Sequence, residues 1–291
     1  MNWKETIEKT GRYLEAKGVD EPVTAAELLA ARLLKSPRGS LVSFLDRQVP
    51  EKYLEALRRA MARLVKGEPL QYVLGEWDFR SLTLGCDRRA LIPRPETEEL
   101  VTRVIAYLKS KFGDGRSLTG EPPLVVDIGT GTGAIILSLA KEFKGPAYLG
   151  TDVSEEAITL AKENAERTGL SEAVKFAVMD GLEDFDEPEC IDVVVSNPPY
   201  IKTAVCETLD RRVKDFEPRL ALDGGAEGLD LYEKYLESAI NLLKPGGAVF
   251  FEIGEDQGEA LKKLLADYGF GEIRIEKDFA GHDRYAMATL A

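Results

Sequence analysis

Hydrophobic positions recur at two periods along the chain, and the change of period divides it. In the first part apolar side chains fall three and four residues apart, as Leu28, Leu29, Leu33 and Leu34 and then as Tyr53, Leu54, Leu57, Met61, Leu64 and Val65 between Pro50 and Gly67. That spacing gathers them on one face of a helix. Thr24 and Glu27 predict a capping box ahead of the first run, and Gly67 ends the second. Between Gly75 and Pro95 the short runs Trp77-Asp78-Phe79 and Leu82-Thr83-Leu84 predict a β-hairpin. Pro93-Arg94-Pro95-Glu96-Thr97-Glu98-Glu99 then places prolines and acids where a helix begins, and Leu100, Val101, Val104, Ile105 and Leu108 continue it.

From Leu124 the pattern alternates. Strand-like runs at Leu124–Asp127, Ala147–Thr151, Val174–Val178, Ile191–Ser196, Ala248–Ile253, Ile273–Glu276 and Tyr285–Leu290 are interleaved with helical segments, two of which start at Ala134 and Glu155. Strand and helix in alternation predict an α/β fold with a mostly parallel, doubly wound sheet. Three parts follow: a small helical domain over residues 1–74, a β-hairpin linker over 75–95, and the α/β domain over 96–291.

Charge sharpens the division. The 291 residues carry 38 Lys and Arg against 51 Asp and Glu, a net charge of −13. Residues 1–80 hold 14 basic and 12 acidic side chains, so the rest of the chain carries the whole excess of acid. With 44% hydrophobic residues the composition is that of a folded globular protein and excludes disordered and fibrous classes. The acidity disfavours a long sequence-independent grip on nucleic acid, which needs many cations against phosphate. The basic face Arg58, Arg59, Arg63 and Lys66 is read as a solvated helix surface or as a docking surface for an acidic partner.

Cys86, Cys190 and Cys206 are too few and too scattered for a disulfide framework, and the N-terminal residues form no apolar signal core, so a cytoplasmic protein is expected. The most apolar stretch, Leu124 to Ala140, is interrupted by Asp127 and by glycines and threonines, and no membrane contact is expected. A single histidine, His282, read as a surface loop residue, leaves no multi-histidine metal site and no second histidine for a relay, so no metal is expected.

The chemistry starts at Asp127-Ile128-Gly129-Thr130-Gly131-Thr132-Gly133-Ala134, where the first strand of the alternating part closes and a helix opens. An open α/β sheet places its ligand crevice at such a turn, and glycines let the backbone approach the ligand. Two ligands compete. Gly129, Gly131 and Ala134 fit the dinucleotide pattern, with Asp152 at the end of the next strand to take ribose hydroxyls, so NAD is an alternative. Asp127 beside the loop suits a ligand bearing ammonium and sulfonium better than a pyrophosphate, which favours S-adenosylmethionine. Asp180 and Leu182, after the third strand, are placed beside the adenine.

The fourth strand ends in Asn197-Pro198-Pro199-Tyr200 at the same edge. Two prolines fix φ and delete two N–H donors, so the turn offers carbonyl oxygens in a nearly rigid array. A planar amide or aromatic amine has two N–H donors and a lone pair drawn into its π system. If the Asn197 side-chain carbonyl and the Pro198 backbone carbonyl each accept one N–H, with Tyr200 packed on the planar group, that lone pair can be aimed at a methyl donor. No histidine base is required. The tetrad downstream of the glycine loop resembles the class I methyltransferases that act on exocyclic or amide nitrogen, which leaves adenine in DNA, guanine in ribosomal RNA and glutamine in protein as targets.

Longer stretches narrow the target. Glu68-Pro69-Leu70-Gln71-Tyr72-Val73-Leu74-Gly75, Leu91 to Glu98, Ser196 to Ile201, Glu217-Pro218-Arg219-Leu220-Ala221-Leu222 with Gly224-Gly225, and Leu243-Lys244-Pro245-Gly246-Gly247 with Glu252-Ile253-Gly254 resemble the release factor glutamine methyltransferases, the PrmC/HemK family. The resemblance spans nearly the whole chain. It implies a helical N-terminal domain, a β-hairpin linker and a Rossmann-like methyltransferase domain. It also implies methylation of the glutamine side-chain amide in the Gly-Gly-Gln motif of peptide chain release factors, with S-adenosylmethionine converted to S-adenosylhomocysteine. Carried over by position, the cofactor loop falls on Gly129, Thr130, Gly131, Thr132 and Gly133, the ribose acid on Asp152, a further cofactor contact on Leu182, and the substrate motif on Asn197, Pro198, Pro199 and Tyr200, with Asn197 facing both ligands. Arg94 and Glu96 keep their reading as a helix start, and Lys244 to Gly247 as the turn before the fifth strand. A DNA or ribosomal RNA amino-methyltransferase would use the same Asn197 chemistry, but would need a basic surface that the acidic part of the chain does not supply.

Overall fold

The computed structural model describes residues 1–113 and 121–290. The chain divides into two compact units, Met1–Trp77 with Asp210–Phe216 and Asp78–Leu209 with Glu217–Ala291. The first contains α1 (Trp3–Ala16), α2 (Pro22–Leu34), a 3₁₀ segment (Arg38–Phe44), α3 (Glu51–Val65) and α4 (Leu70–Leu74). Its core gathers Trp3, Leu14, Leu29, Leu41, Leu57 and Leu64, the last two from the helical period that ends at Gly67. The capping box at Thr24 does not form. Helix α2 starts two residues earlier at Pro22, which needs no hydrogen-bond acceptor at the first helical position, and Thr24 lies inside the helix.

The strand pair β1 (Glu76–Phe79) and β2 (Leu82–Gly85) forms the hairpin, with Arg80 at φ 51° in its turn. Next come α5 (Pro95–Phe112), β3 (Leu124–Ile128), α6 (Ala134–Glu142), β4 (Ala147–Asp152), α7 (Glu155–Thr168), β5 (Val174–Val178) and β6 (Ile191–Ser196). The short helices α8 (Thr203–Cys206) and α9 (Arg211–Lys214) follow, then α10 (Asp230–Leu242), β7 (Leu243–Glu252), α11 (Gly258–Asp267), β8 (Phe270–Lys277) and β9 (Asp283–Leu290). Strands β3 to β9 make a seven-stranded sheet in the order β5-β4-β3-β6-β7-β9-β8. All neighbours from β5 to β7 run parallel, and β9 is antiparallel to both β7 and β8.

Both faces of the sheet are covered, which is why its central strands read as continuous apolar runs. Alternate residues feed opposite cores: Val125, Val193, Val195 and Phe250 join one cluster, and Val126, Val194, Val249 and Phe251 the other. Lys244 to Gly247 lie within β7, not before it. Between Ile191↔Leu243 and Val193↔Ala248 the register slips, and Gly246 takes φ 70°, so the turn expected there is absorbed as an irregularity of the strand. No helix among the described residues is long and apolar enough to cross a membrane.

The strand order reverses direction at β3. The chain runs outward from β3 through β4 to β5, then returns to place β6 on the other side of β3. Ile128 is in register with Thr151 of β4 and with Ser196 of β6, so the residues that follow these three strands meet at one edge. This topological switch point is where an open α/β sheet opens a crevice.

Candidate active site

A cavity of about 330 Å³ occupies that crevice. Gly129, Thr130, Gly131, Thr132, Asp152, Asp180, Asn197 and Pro199 line it, so most of the residues singled out in the sequence come together. Asp127, Gly133, Pro198, Tyr200 and Leu182 do not. Gly133 caps α6 at φ 80°, with Leu137 so close that a Cβ would lie 3.0 Å from its Cδ1. Leu182 is 1% exposed and belongs to the same apolar cluster as Tyr235 and Leu236; its neighbour Gly181 and Tyr235 reach the cavity, while Leu182 does not.

The glycine loop is held from two sides. The Thr130 backbone N–H donates to the Thr151 carbonyl at 2.8 Å, and its hydroxyl donates to Asp127 Oδ2 at 2.6 Å. Asp127 itself is 0% exposed, and its Oδ1 has no hydrogen-bond partner. Burial pushes its carboxyl up to about 7 against the pull of the Thr130 hydroxyl and, more weakly, of the Ile136 backbone N–H, which lies outside hydrogen-bond geometry, and the nearby Asp152 charge adds to the rise. An unpaired acceptor behind the loop fits a cation seated on it and opposes a pyrophosphate. Asp152, also raised by burial, accepts from the Gly131 and Ser154 backbone N–H groups at 2.9 Å each. Lys234 holds Asp180 at the cavity wall, 2.6 Å from its Oδ2, and reaches Glu183 at 2.9 Å.

Asn197 follows β6, and Glu252 ends β7 beside it, because Ser196 and Phe251 are in register. Thr97, in the first turn of α5, lies between the two. Asn197 Nδ2 donates to Thr97 Oγ1 at 3.1 Å, and Thr97 Oγ1 donates to Glu252 Oε2 at 2.7 Å. Glu252 is 1% exposed, and burial pushes it up to about 7. Sequence reading missed this chain of contacts. An acid at the end of the otherwise apolar run Ala248–Phe251 is the signal that could have found it.

The Asn197–Tyr200 turn is packed against a second segment. Ile201 exchanges backbone hydrogen bonds with that segment, its N–H donating to the Leu222 carbonyl at 3.0 Å and its carbonyl accepting from the Gly224 N–H at 2.8 Å. At Gly224 a Cβ would stand 2.5 Å from the Pro199 carbonyl oxygen. Gln257, another residue the sequence did not mark, donates through Nε2 to the carbonyls of Tyr200 and Gly228. Tyr200 is half-buried against the apolar cluster of Tyr232 and Leu261, and burial pushes its phenol up to about 12, which keeps it neutral. Arg94 lines the cavity and pairs with the buried Glu217 at 2.6 Å, while Glu217 also accepts from the Ile92 N–H. Arg94 and Glu96 also occupy the helix start expected for them, at the N-cap and first turn of α5.

Comparison with known proteins matches both parts of the chain. Residues 5–75 match the PrmC N-terminal domain and residues 124–269 a methyltransferase domain. A release factor glutamine methyltransferase of Bacillus cereus is 36% identical over 292 residues, covering 100% of both chains, and one of Moorella thermoacetica is 37% identical over 289 residues, covering 99% of this chain and 98% of the relative. Among solved structures, the hMettl16 catalytic domain in complex with MAT2A 3'UTR hairpin 6 aligns with a TM-score of 0.56 at 19% identity, covering 76% of this chain and 79% of that one. A methyltransferase from Pyrococcus furiosus aligns with a TM-score of 0.50 at 21% identity, covering 79% and 97%. The structural likeness carries the fold, and the full-length relatives carry the family. The chain belongs to the release factor glutamine methyltransferase family.

Proposed function

We propose that this protein methylates the side-chain amide nitrogen of the glutamine in the Gly-Gly-Gln motif of peptide chain release factors, using S-adenosylmethionine, in the cytoplasm. The observation that carries the reading is Asn197: its amino group is engaged by Thr97, and its residue lines the same cavity as the glycine loop. With its amino group so engaged, Asn197 is assigned to accept from a donor in the cavity through its carbonyl. S-adenosylmethionine supplies, when bound, an electrophilic methyl group on a sulfonium. Gly129, Thr130, Gly131, Thr132, Asp152 and Asp180 would hold it, with the Asp127 carboxylate behind the loop as counter-charge.

The protein's own contribution is orientation. The Asn197 carbonyl accepts one N–H of the substrate amide, and we assign the other to the Pro198 backbone carbonyl, in a turn without donors at 198 and 199, although Pro198 itself is buried and outside the cavity lining. With both N–H groups held, the amide plane is fixed, and the nitrogen lone pair, perpendicular to that plane, is fixed in direction toward the methyl donor. Such alignment is worth several kcal/mol, with about 7 to 11 as the upper range for well-placed reactants. Leu220, 60% exposed at the cavity mouth, supplies with Pro218 an apolar lip for the approaching loop. A neutral Tyr200 is no base, and none is needed, because the methylated amide nitrogen is acidic enough to release its proton to water.

Methyl transfer from labelled S-adenosylmethionine to purified release factor tests the reading, with a factor whose motif glutamine is replaced and a mixture of DNA and ribosomal RNA as the other substrates. Label on the wild-type factor alone is expected. Label on nucleic acid alone would move the activity to amino-methylation of bases at the same site.

A further inference from the structure

Asn197 meets Thr97 through its amino group and not its carbonyl, and the reason lies one hydrogen bond further on. A threonine hydroxyl carries a single hydrogen. Here that hydrogen is directed at Glu252 Oε2, 2.7 Å away, which leaves Thr97 Oγ1 with lone pairs alone to receive the Asn197 Nδ2–H at 3.1 Å. Turning the Asn197 amide over would set its carbonyl oxygen against an oxygen with no hydrogen to offer. The polarity of the whole row is thus decided at its buried end, at Glu252.

We propose that Thr97 and Glu252 are positioning residues that lock Asn197 as an acceptor toward the substrate amide. The proposal rests on the reading of Asn197 as the group that holds a planar amide. An asparagine free to turn over could bind the substrate backwards, amino group to carbonyl, with the reacting nitrogen aimed away from the methyl donor. A fixed polarity removes that unproductive mode, so the relay acts on turnover more than on affinity.

Glu252 serves in this way only as a carboxylate. Burial pushes it up to about 7, Arg284 of β9 and Arg94 at the start of α5 favour the charged form, and Glu96 of the same helix opposes it. Tyr200 after β6, Tyr285 of β9 and Tyr232 of α10 also face it, the last donating to its backbone carbonyl. Once protonated, Glu252 can donate to Thr97, which is then free to donate to Asn197, and the amide can reverse. Turnover at saturating cofactor therefore falls as pH drops through that range. Gln at position 252 has no proton to gain, and because its amide can donate to Thr97 as well as accept from it, kcat in E252Q is expected to be lowered and independent of pH over this range.

The test is methyl transfer to purified release factor at saturating S-adenosylmethionine across pH, for the wild type, T97V, T97S and E252Q. T97V keeps the volume and loses the hydroxyl; its kcat is expected to fall at least about tenfold while the KM for the factor and the cofactor dissociation constant stay within about threefold. T97S is expected to recover kcat to within about threefold of the wild type, and E252Q to flatten the acid limb. Wild-type turnover in T97V, a T97S as impaired as T97V, or an acid limb that survives E252Q would each overturn the proposal. The side-chain amide NMR signals of Asn197, identified by their loss in Asn197→Ala, are expected to move in T97V, and unmoved signals would overturn it too. Wild-type enzyme that methylates no factor would refute the functional reading instead, and the NMR comparison would still decide the relay.

Discussion

Asp152 accepts a hydrogen bond from the Gly131 backbone N–H at 2.9 Å, which ties the end of β4 to the middle of the glycine loop. The acid expected to take ribose hydroxyls therefore also shapes the loop beside it. Asp152→Ala removes both contributions and is expected to weaken S-adenosylmethionine binding about 10- to 100-fold, the range for hydrogen bonds to a charged acceptor. Asp152→Asn keeps one acceptor and should lose less. Calorimetric titration decides it, and an alanine variant within threefold of wild type would remove Asp152 from the cofactor site.

Cofactor affinity should depend on pH through Asp127. Its carboxyl sits near 7 in the free protein, well above the usual carboxylate range, and a bound cation lowers it by favouring the anion. Binding is then fully supported above that value and weakens as pH falls below it, by up to about tenfold per pH unit. Asp127→Asn should bind weakly at every pH. Dissociation constants of wild type that stay flat from pH 8 to about 5.5 would contradict this.

Gly224 leaves room for the substrate turn. Adding a methyl group 2.5 Å from the Pro199 carbonyl and 2.8 Å from the Tyr200 Cα forces one of the two segments to shift. Gly224→Ala is expected to cost about 1 to 3 kcal/mol in thermal unfolding and to lower kcat more than cofactor affinity. Full activity at an unchanged melting temperature would show that the turn tolerates displacement.

The basic face of α3 is less uniform than its sequence. Arg58 pairs with Glu51, and Arg63 pairs with Glu68 while donating to the carbonyls of Tyr72 and Val73. Arg59 has no ion pair among the described residues and borders an apolar groove between Leu29, Leu33, Leu57 and Val73. Arg59→Glu is therefore the reversal that probes docking of the release factor. A rise of about threefold to tenfold in the KM for the factor is expected, with no change for a short Gly-Gly-Gln peptide. Equal KM values would leave α3 as a solvated surface. Arg63→Glu should instead lower stability, because two backbone carbonyls lose their donor.

The parts of the fold that were legible in the sequence are those where one period dominates. β6 matches its run residue for residue, because a central strand buried along its whole length shows as a near-continuous apolar stretch, whereas β5, at the sheet edge with Lys175 and Val178 exposed, was legible from Val174, Phe176 and Val178 at alternate positions. Boundaries failed where a local rule was overruled: Pro22 began α2 before Thr24 could cap it, and register slippage drew Lys244–Gly247 into β7. At the site, residues on consecutive strand ends were readable because each sits beside its own motif. Thr97 and Gln257 were not. Each acts across more than fifty residues of chain, on Glu252 and Asn197 in the first case and on Tyr200 in the second, and no local pattern encodes such a pairing.

The compact unit that holds Met1–Trp77 also takes Asp210–Phe216 from far along the chain, where Arg212 pairs with Asp20 and Phe216 lies by Gly67. Exchange of helical modules between relatives is therefore not a matter of swapping one end of a gene. A hybrid carrying foreign residues 1–77 on this protein's remainder would ask its new helices to accept a seven-residue insert they did not evolve with, and a graft that works must transplant both pieces together.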